Sequence, residues 1–379
     1  MNPALGGLSA CVETLVPALA ALGHPSEIVC LDAPGEPYLA ALTAPVHALG
    51  PARLGYAYAP GLLPWLRSEA KRFDAVIVHG LWQYHGLAVH RALRAPGSPP
   101  YFVFAHGMLD PWFKRTYPLK HVKKFFYWWL AERRVLRGAA AVLFTCEEER
   151  RLARESFGGN PYHERVVAFG TAAPPEQPDR QRTAFLTRVP ELRDRAYWLF
   201  LGRIHPKKGV DLLLAAYGRC ASAGQPPLLV MAGPCADENY LRELKAQAAA
   251  CCPAGSVLWP GMLSGDIKWG ALRNAEAFVL PSHQENFGIA VVEALACGTP
   301  VLISTQVNIW REITEDGAGF AEPDTATGTD RLLQQWLALD AGAVTRMRAA
   351  ARPTFLQRYE IGAVARSLLA VLQSRPGAR

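Results

Sequence analysis

Short apolar runs alternate with longer segments of helical periodicity along most of this chain. Residues 74–78 and 101–105 have the length and the apolar composition of buried strands. Strands that alternate with helices form parallel sheets covered on both faces, so this half of the chain predicts a doubly wound α/β domain. The other elements predicted here are helices at 8–22, 60–73, 84–94 and 147–156 and strands at 27–31, 140–144 and 166–168.

A Pro-rich, apolar-poor segment at 172–178 has the composition of a linker. The same alternation starts again after it. We therefore predict two Rossmann-like domains, at residues 1–175 and 176–358, followed by a C-terminal helix at 359–379. The second half is predicted to contain strands at 198–201, 228–232, 257–259, 277–280 and 301–303 and helices at 209–223, 238–250, 267–274, 288–297, 327–338, 342–356 and 360–373.

The composition of the 379 residues is that of a globular protein, with 50% hydrophobic and 19% charged residues. No run of about 18 uncharged apolar residues occurs, so we expect no transmembrane helix, and no signal peptide is evident at the N-terminus. The eight cysteines are scattered and form no C-x-x-C pair. This usage is typical of reduced cysteines in a cytoplasmic protein.

The net charge of +7 is concentrated in one region. Residues 112–137 hold eight basic side chains against Glu132 alone, so this region predicts a local partner. It is either the solvated face of an ordinary helix or a membrane-surface patch that combines interfacial aromatic rings with cations. Nucleic-acid binding is a third option, but no motif supports it. The candidate residues for an acceptor or membrane patch are Lys120, Lys123, Lys124, Trp128 and Trp129, together with His79 and Trp82.

Two carboxylates mark a strand–loop–helix unit at residues 277–303. Glu285 lies in the loop after a predicted strand, and Glu293 lies eight residues later in the helix that opens at about Gly288. Ligands of open α/β sheets bind at such strand ends. The backbone N–H groups of Phe287, Gly288 and Ile289 are the donors of a helix start, which suits a phosphate.

A second loop of the same kind spans residues 202–209, between a predicted strand and a predicted helix. Arg203 offers a planar fork of donors and Lys208 a point charge, and both suit the oxygens of a diphosphate. The alternative is a surface loop with solvated basic side chains. In the first half of the chain, Gly7 lies just before a predicted helix and belongs either to an anion-binding site or to a plain turn. His79 and His106 each follow a predicted strand.

Together these motifs carry a family resemblance. Glu285 and Glu293 form an E-x7-E pair, preceded by the G-R-x-x-x-x-K-G loop that starts at Gly202. The chain resembles the retaining nucleotide-sugar glycosyltransferases of family 4, the "group 1" family, over roughly residues 2–372. The resemblance implies the GT-B fold, in which two Rossmann-like domains face a central cleft and the last helix crosses back to the N-terminal domain. The N-terminal domain would bind the acceptor and the C-terminal domain the nucleotide sugar.

The resemblance also implies roles for individual residues. Arg203 and Lys208 would hold the donor diphosphate, and Glu285 would bind hydroxyls of the donor sugar. Glu293 would bind the ribose, and His106 would contact the sugar near its anomeric carbon. The remaining donor contacts would come from Gly7, from the backbone of Asn286, Phe287, Gly288 and Ile289, and, beside the base, from Met262 and Leu263.

The sequence predicts no required metal and no cofactor. No D-x-D triplet occurs, and Arg203, Lys208 and helix N-termini are suited to stabilising the leaving diphosphate instead. In such retaining enzymes the leaving phosphate is thought to take the acceptor proton, so no protein base is needed. Glu285 is therefore not interpreted as a nucleophile.

The N-terminus differs from the family pattern. Family members usually begin with an apolar strand before the Gly-Gly turn, whereas here Met1 stands where that strand would end. That strand would be central in the first sheet, so we expect the chain as written to be less stable than a version extended upstream. Equal thermal midpoints of the two versions would contradict this expectation.

The sequence thus favours a metal-independent hexosyltransferase at the cytoplasmic face of a membrane. Its expected partners are a nucleotide-sugar donor and a glycan or lipid-linked acceptor of exopolysaccharide or cell-surface glycan synthesis, and no nucleic acid. Two alternatives stay open, a transferase with a soluble acceptor and a catalytically inactive sugar-nucleotide-binding protein. The sequence names neither the base nor the sugar.

Overall fold

The computed structural model describes residues 1, 7–53, 55–111, 118–157 and 162–374, and the side chains of Gly7, Ala10 and residues 118–121 are outside that description. The chain divides into two compact units. The first comprises Met1–Gly170 and Ile361–Arg379, and the second comprises Thr171–Glu360.

The first unit contains helices and short parallel strands in alternation. One turn of π-helix, Trp128–Glu132, separates its fourth and fifth helices. The elements are α1 Gly7–Ala21, β1 Ile28–Cys30, β2 Val46–Ala48, α2 Leu62–Glu69, β3 Val76–His79, α3 Tyr84–Leu93, β4 Tyr101–Phe104, α4 Pro118–Tyr127, α5 Arg133–Gly138, β5 Ala141–Phe144, α6 Glu147–Ala153 and β6 Glu164–Val166.

The second unit repeats the alternation with longer strands. Its elements are α7 Pro178–Arg188, β7 Tyr197–Leu201, α8 Val210–Ala223, β8 Leu228–Ala232, α9 Glu238–Cys251, β9 Val257–Gly261, α10 Gly265–Asn274, β10 Ala277–Leu280, α11 Ile289–Ala296, β11 Val301–Ser304, α12 Trp310–Glu315, β12 Gly319–Glu322, α13 Ala326–Leu337 and α14 Ala341–Arg358. The last helix, α15 Ile361–Gln373, follows it and belongs to the first unit.

The strands of the first unit form two separate parallel sheets. One has the order β3-β4-β5-β6, and the other pairs β1 with β2. Within the described residues no strand precedes β1, and β1 and β3 are each paired on one side only.

Helices cover both faces of the four-stranded sheet. On one face α1 and α15 pack together, with Leu15 and Leu368 buried against Phe104 and Leu143. On the other face α2, α3 and the π-helical turn enclose a second core. The contact between α15 and α1 confirms the predicted return of the last helix to the N-terminal domain.

The second unit is built on one six-stranded parallel sheet of order β12-β11-β10-β7-β8-β9. Its central strands β7, β8, β10 and β11 are buried along their whole length, as expected for a sheet covered on both faces. The strand order reverses direction between β7 and β10. Ligand sites of doubly wound sheets form at such a switch point.

A buried carboxylate lies beneath the π-helical turn of the first unit. Glu132 is 1% exposed, and its Oε2 accepts a hydrogen bond of 3.2 Å from the backbone N–H of Trp82. Its Oε1 has no hydrogen-bond partner among the described residues. Burial raises the pKa of Glu132 to about 7, because the carboxylate loses its hydration and the single Trp82 bond offsets little of that loss.

Glu132→Gln is expected to make the stability of the protein less dependent on pH. Because the folded-state pKa is raised, protonated Glu132 stabilises the fold below its ordinary pKa near 4.5, and this stabilisation is lost as the pH rises through about 7. The variant should gain up to about 3 kcal/mol in free energy of unfolding over the wild type at pH 8, and little at pH 5. Urea unfolding at both pH values measures this.

The matched control is Glu13→Gln, since Glu13 is an exposed glutamate of the same unit. An identical pH dependence in the wild type and in Glu132→Gln would show that the buried carboxylate is not the titrating group.

Candidate active site

Two loops meet at the switch point of the second unit. The loop after β7 holds Arg203 to Gly209, and the loop after β10 holds Pro281 to Gly288. The backbone N–H of His283 donates to the carbonyl of Lys207 at 2.9 Å, and the hydroxyl of Ser282 donates to the same carbonyl at 3.1 Å. Because β7 and β10 are neighbouring parallel strands, both loops emerge at the same edge of the sheet.

Gly209 allows this close approach. Its φ of 63° lies in the left-handed region, and a Cβ atom at this position would lie 2.1 Å from the carbonyl oxygen of Pro281. The residue lies between the short 3₁₀ turn Pro206–Lys208 and α8 and caps both. The glycine therefore lets the two loops lie in contact next to Lys208.

Lys208 and Glu285 form an ion pair across the two loops. The Lys208 ammonium contacts the Glu285 Oε2 atom, and the side chains are 16% and 22% exposed. The structure thus brings together a cation predicted to hold a diphosphate and a carboxylate predicted to bind a sugar. A ligand with anionic oxygens and hydroxyl groups matches this combination, because ammonium groups donate to the former and carboxylates accept from the latter.

A third loop, after β11, holds Glu285 in place. The backbone N–H of Glu285 donates to the carbonyl of Gln306 at 2.9 Å, and its carbonyl accepts from the N–H of Asn308 at 3.0 Å. The side chain of the buried Asn308 also donates to the Asn286 Oδ1 atom at 3.3 Å. No sequence motif identifies Asn308 as a residue of the site. Only its position in the loop after β11 indicates that it lies at this edge of the sheet.

α11 starts four residues after Glu285, at Ile289. Gly288, with a φ of 79°, precedes the helix, and the first N–H groups of any helix lack partners within it. The Phe287 side chain is buried and packs edge-on against Tyr359, with ring centroids 5.6 Å apart. Phe287 therefore anchors the loop through its side chain, while the backbone from Asn286 to Ile289 remains the predicted phosphate contact.

Glu293 has a partner that the sequence did not reveal. Its Oε1 atom accepts from the Lys268 ammonium at 2.7 Å, and that ammonium also lies 4.0 Å from the ring centroid of Trp269. Lys268 lies on α10, one helix before α11 in sequence. The pair holds the carboxylate in one orientation, with its Oε2 atom as a further acceptor for hydroxyl groups.

The remaining predicted donor residues of the second unit differ in exposure. Arg203 is exposed and makes no ion pair with any described residue. Met262 is also exposed, whereas Leu263 is buried in the interior of the unit. Of these two, only Met262 presents its side chain at the surface.

In the first unit, the two predicted histidines contact each other. His79 Nδ1 and His106 Nε2 lie 3.0 Å apart at the ends of β3 and β4, and both rings stack on Phe104. Burial lowers the pKa of His79 to about 4, with a smaller contribution from His85, and lowers that of His106 well below its ordinary value. Both imidazoles are therefore neutral at pH 7. His106 has a φ of 49°, a strained conformation typical of functional positions.

The predicted membrane patch is only partly at the surface. Trp128, one of the predicted patch residues, is 1% exposed, and its ring stacks on that of Phe157 with the centroids 4.7 Å apart. Lys124 is half-buried over the ring of Trp82, with its ammonium 4.9 Å from the centroid. Trp129 and Lys123 are exposed. The Lys120 side chain and the turn before Gly7 lie outside the described residues.

In the described part of the chain, no three His, Cys, Asp or Glu side chains lie close enough together to hold a metal ion. None of the helices in that part is long and apolar enough to cross a bilayer.

Comparison with protein families identifies the chain. A model described as "Glycosyl transferase 4-like domain" matches residues 6–170, and one described as "Glycosyl transferases group 1" matches residues 184–353. The chain belongs to the group 1 glycosyltransferases, family 4. This family membership confirms the predicted resemblance.

Curated relatives of this glycosyltransferase include two inositol-related enzymes. A D-inositol 3-phosphate glycosyltransferase of Jonesia denitrificans is 27% identical over 248 residues, which are 63% of this chain and 58% of that protein. A phosphatidyl-myo-inositol mannosyltransferase of Mycolicibacterium smegmatis is 30% identical over 269 residues, which are 64% of this chain and 66% of that protein. The alignments with three curated relatives cover 58%, 37% and 46% of the lengths of those proteins. The chain therefore spans about half the length of the curated relatives that it matches.

A solved structure confirms the fold. Anabaena Alr3699/HepE in complex with UDP superimposes with a TM-score of 0.77 at 16% identity, over 99% of this chain and 97% of that one. The predicted GT-B fold, with two parallel α/β domains, is therefore correct.

Proposed function

We propose that this glycosyltransferase moves a hexose from a nucleoside-diphosphate sugar to a glycan or lipid-linked acceptor, with retention of configuration at the anomeric carbon. The observation that carries the proposal is the paired Lys208 and Glu285 at the switch point of the second unit. A cation and a carboxylate, on two loops joined by hydrogen bonds, match the two halves of a sugar diphosphate.

In the proposed reaction, the bond between the anomeric carbon and the diphosphate oxygen breaks and a bond to the acceptor oxygen forms on the same face. Negative charge develops on the leaving diphosphate, and Lys208 and Arg203 stabilise it there. The acceptor proton passes to the leaving phosphate, so no protein base takes part. Glu285 holds the sugar by accepting hydrogen bonds from its hydroxyl groups.

We infer that the donor carries uridine. The solved Anabaena structures of the same fold contain UDP, UDP with glucose, or UDP-glucose. Glu293, oriented by Lys268, is suited to the two ribose hydroxyls, which donate to a carboxylate. This supports a UDP-hexose as the first donor to test.

For the acceptor, we propose a lipid-linked or polysaccharide substrate of exopolysaccharide or cell-surface glycan synthesis at the cytoplasmic face of a membrane. One relative is named a phosphatidyl-myo-inositol mannosyltransferase, which supports a lipid-linked acceptor, whereas another is named a D-inositol 3-phosphate glycosyltransferase, which matches the soluble alternative. The basic, aromatic region around α4 supports the lipid-linked choice over a soluble acceptor.

A thermal-shift panel of nucleoside diphosphates and their glucose and mannose conjugates tests the donor. We expect UDP and UDP-hexoses to raise the Tm most, since a ligand at about 100 times its Kd adds about 2.7 kcal/mol of stability. In Glu293→Gln the shift by UDP should fall, while the shift by 2′,3′-dideoxy-UDP should be the same as in the wild type. No shift with any member of the panel would exclude a nucleotide-sugar site.

A further inference from the structure

A row of large apolar side chains on α4 and the π-helical turn faces solvent. We call Val122, Phe125, Phe126, Trp129 and Leu130 the apolar stripe. Their spacing of three and four residues places them on one side of the helix, and their exposed fractions lie between 47% and 69%. Contiguous exposed apolar surface of this kind marks an interaction site.

The opposite side of the same segment is firmly packed. Trp128 stacks on Phe157 in the core, and the hydroxyls of Tyr127 and Tyr56 lie 2.7 Å apart in a hydrogen bond. Lys124 lies over Trp82. The stripe is therefore the outward face of an anchored helix, and it is presented without any unfolding of the unit.

Unpaired cations flank the stripe. Lys123, Arg134 and Arg137 are exposed, and the Arg133 guanidinium lies 4.9 Å from the ring centroid of Trp129. None of these four makes an ion pair with another residue in the described ranges. The nearest acid in sequence, Glu132, is buried. Apolar side chains bordered by free cations are complementary to a surface with an apolar interior and anionic head groups.

We propose that the apolar stripe docks this protein on an anionic lipid bilayer, with α4 lying in the plane of the head groups. A second copy of the chain fits less well, because a two-fold contact through the stripe would bring the same cations face to face. The proposal rests on the proposed function only in that a lipid-linked acceptor gives the docking its purpose. The surface itself is independent of the donor site.

Flotation with vesicles tests the proposal. The full chain should bind vesicles of phosphatidylcholine with about 30% phosphatidylglycerol and bind pure phosphatidylcholine weakly, because each Lys or Arg near an anionic surface contributes about 1 kcal/mol, a factor of about five. Phe126→Ser with Leu130→Ser should lower binding on the order of tenfold or more. The control pair is Leu337→Ser with Leu356→Ser, two leucines of the second unit that are 47% and 46% exposed.

The charge contribution has its own variants. Lys123→Gln with Arg134→Gln should reduce binding to the anionic vesicles on the order of 30-fold, and the control is Arg193→Gln with Lys245→Gln at exposed positions of the second unit. Quenching of tryptophan fluorescence by brominated lipid should be lost in Trp129→Phe.

Unchanged vesicle binding in the stripe variant would overturn the proposal. The proposal would also be overturned if the wild-type protein does not bind vesicles but forms a dimer, and the substitutions of the stripe variant dissociate that dimer. The Tm shift caused by UDP measures binding at the donor site independently of vesicle binding. Vesicle binding without any nucleotide shift would refute the proposed function and leave the docking surface intact.

Discussion

Replacing Lys208 by alanine is expected to lower kcat for sugar transfer by on the order of 10³-fold, as for the loss of one preorganised electrostatic donor to a leaving group. The substitution removes the ammonium that stabilises the departing diphosphate. It also leaves the Glu285 carboxylate, 22% exposed in the ion pair, without its cation beside the developing negative charge. Release of nucleoside diphosphate, followed at saturating donor and acceptor, measures kcat.

The double variant Lys208→Ala with Glu285→Gln, compared with Glu285→Gln alone, separates the two causes. If the leaving group needs the ammonium, kcat of the double variant stays far below that of Glu285→Gln. If the loss comes only from the orphaned carboxylate, the two kcat values are equal, and Lys208 then has no direct role. Lys245→Ala removes an exposed positive charge from the same unit and should leave kcat unchanged.

Replacing Gly209 by alanine is the prediction with the largest effect on stability. The left-handed backbone at φ 63° costs an L-residue about 1–2 kcal/mol. The added Cβ atom would also lie 2.1 Å from the carbonyl oxygen of Pro281, so the two site loops must separate. We expect a total loss of about 3 kcal/mol or more in free energy of unfolding, measured by urea denaturation, and a fall in kcat of the folded protein.

Gly255→Ala and Gly317→Ala are matched controls. These glycines have φ values of 73° and 70°, but a Cβ atom on either would meet nothing within 4 Å. Each control should lose only the conformational cost, about 1–2 kcal/mol, and keep full activity. Equal losses in Gly209→Ala and the controls would mean that the contact with Pro281 adds nothing.

The two-domain fold was predictable because its strands are continuous apolar runs. Four elements were missed for different reasons. β2, at Val46–Ala48, is three residues long, and α12 and β12 are also short, so none shows a clear period. α7, at Pro178–Arg188, is mostly polar and was interpreted in part as linker, although its Phe185 is completely buried against Tyr197.

The sequence identified the individual residues of the candidate site, but it did not show which of them contact one another. Glu285 and Lys208 follow strands of the motif, but their ion pair joins residues 77 positions apart and depends on which strands are neighbours. Lys268 has no motif at all. Trp128 and Trp129 are adjacent in sequence, and the first is buried while the second is exposed, which depends on the face that the helix packs against the core.

The Lys208–Glu285 pair has a consequence for the order of events in a catalytic cycle. A diphosphate that takes the Lys208 ammonium separates it from Glu285, and that carboxylate then needs new donors. An intact sugar nucleotide supplies both the anion and the hydroxyl groups, whereas the nucleoside diphosphate product supplies only the anion. Both ligands must therefore displace the ion pair, but only the donor gives Glu285 new hydrogen-bond donors, which favours the departure of product and its replacement by fresh donor.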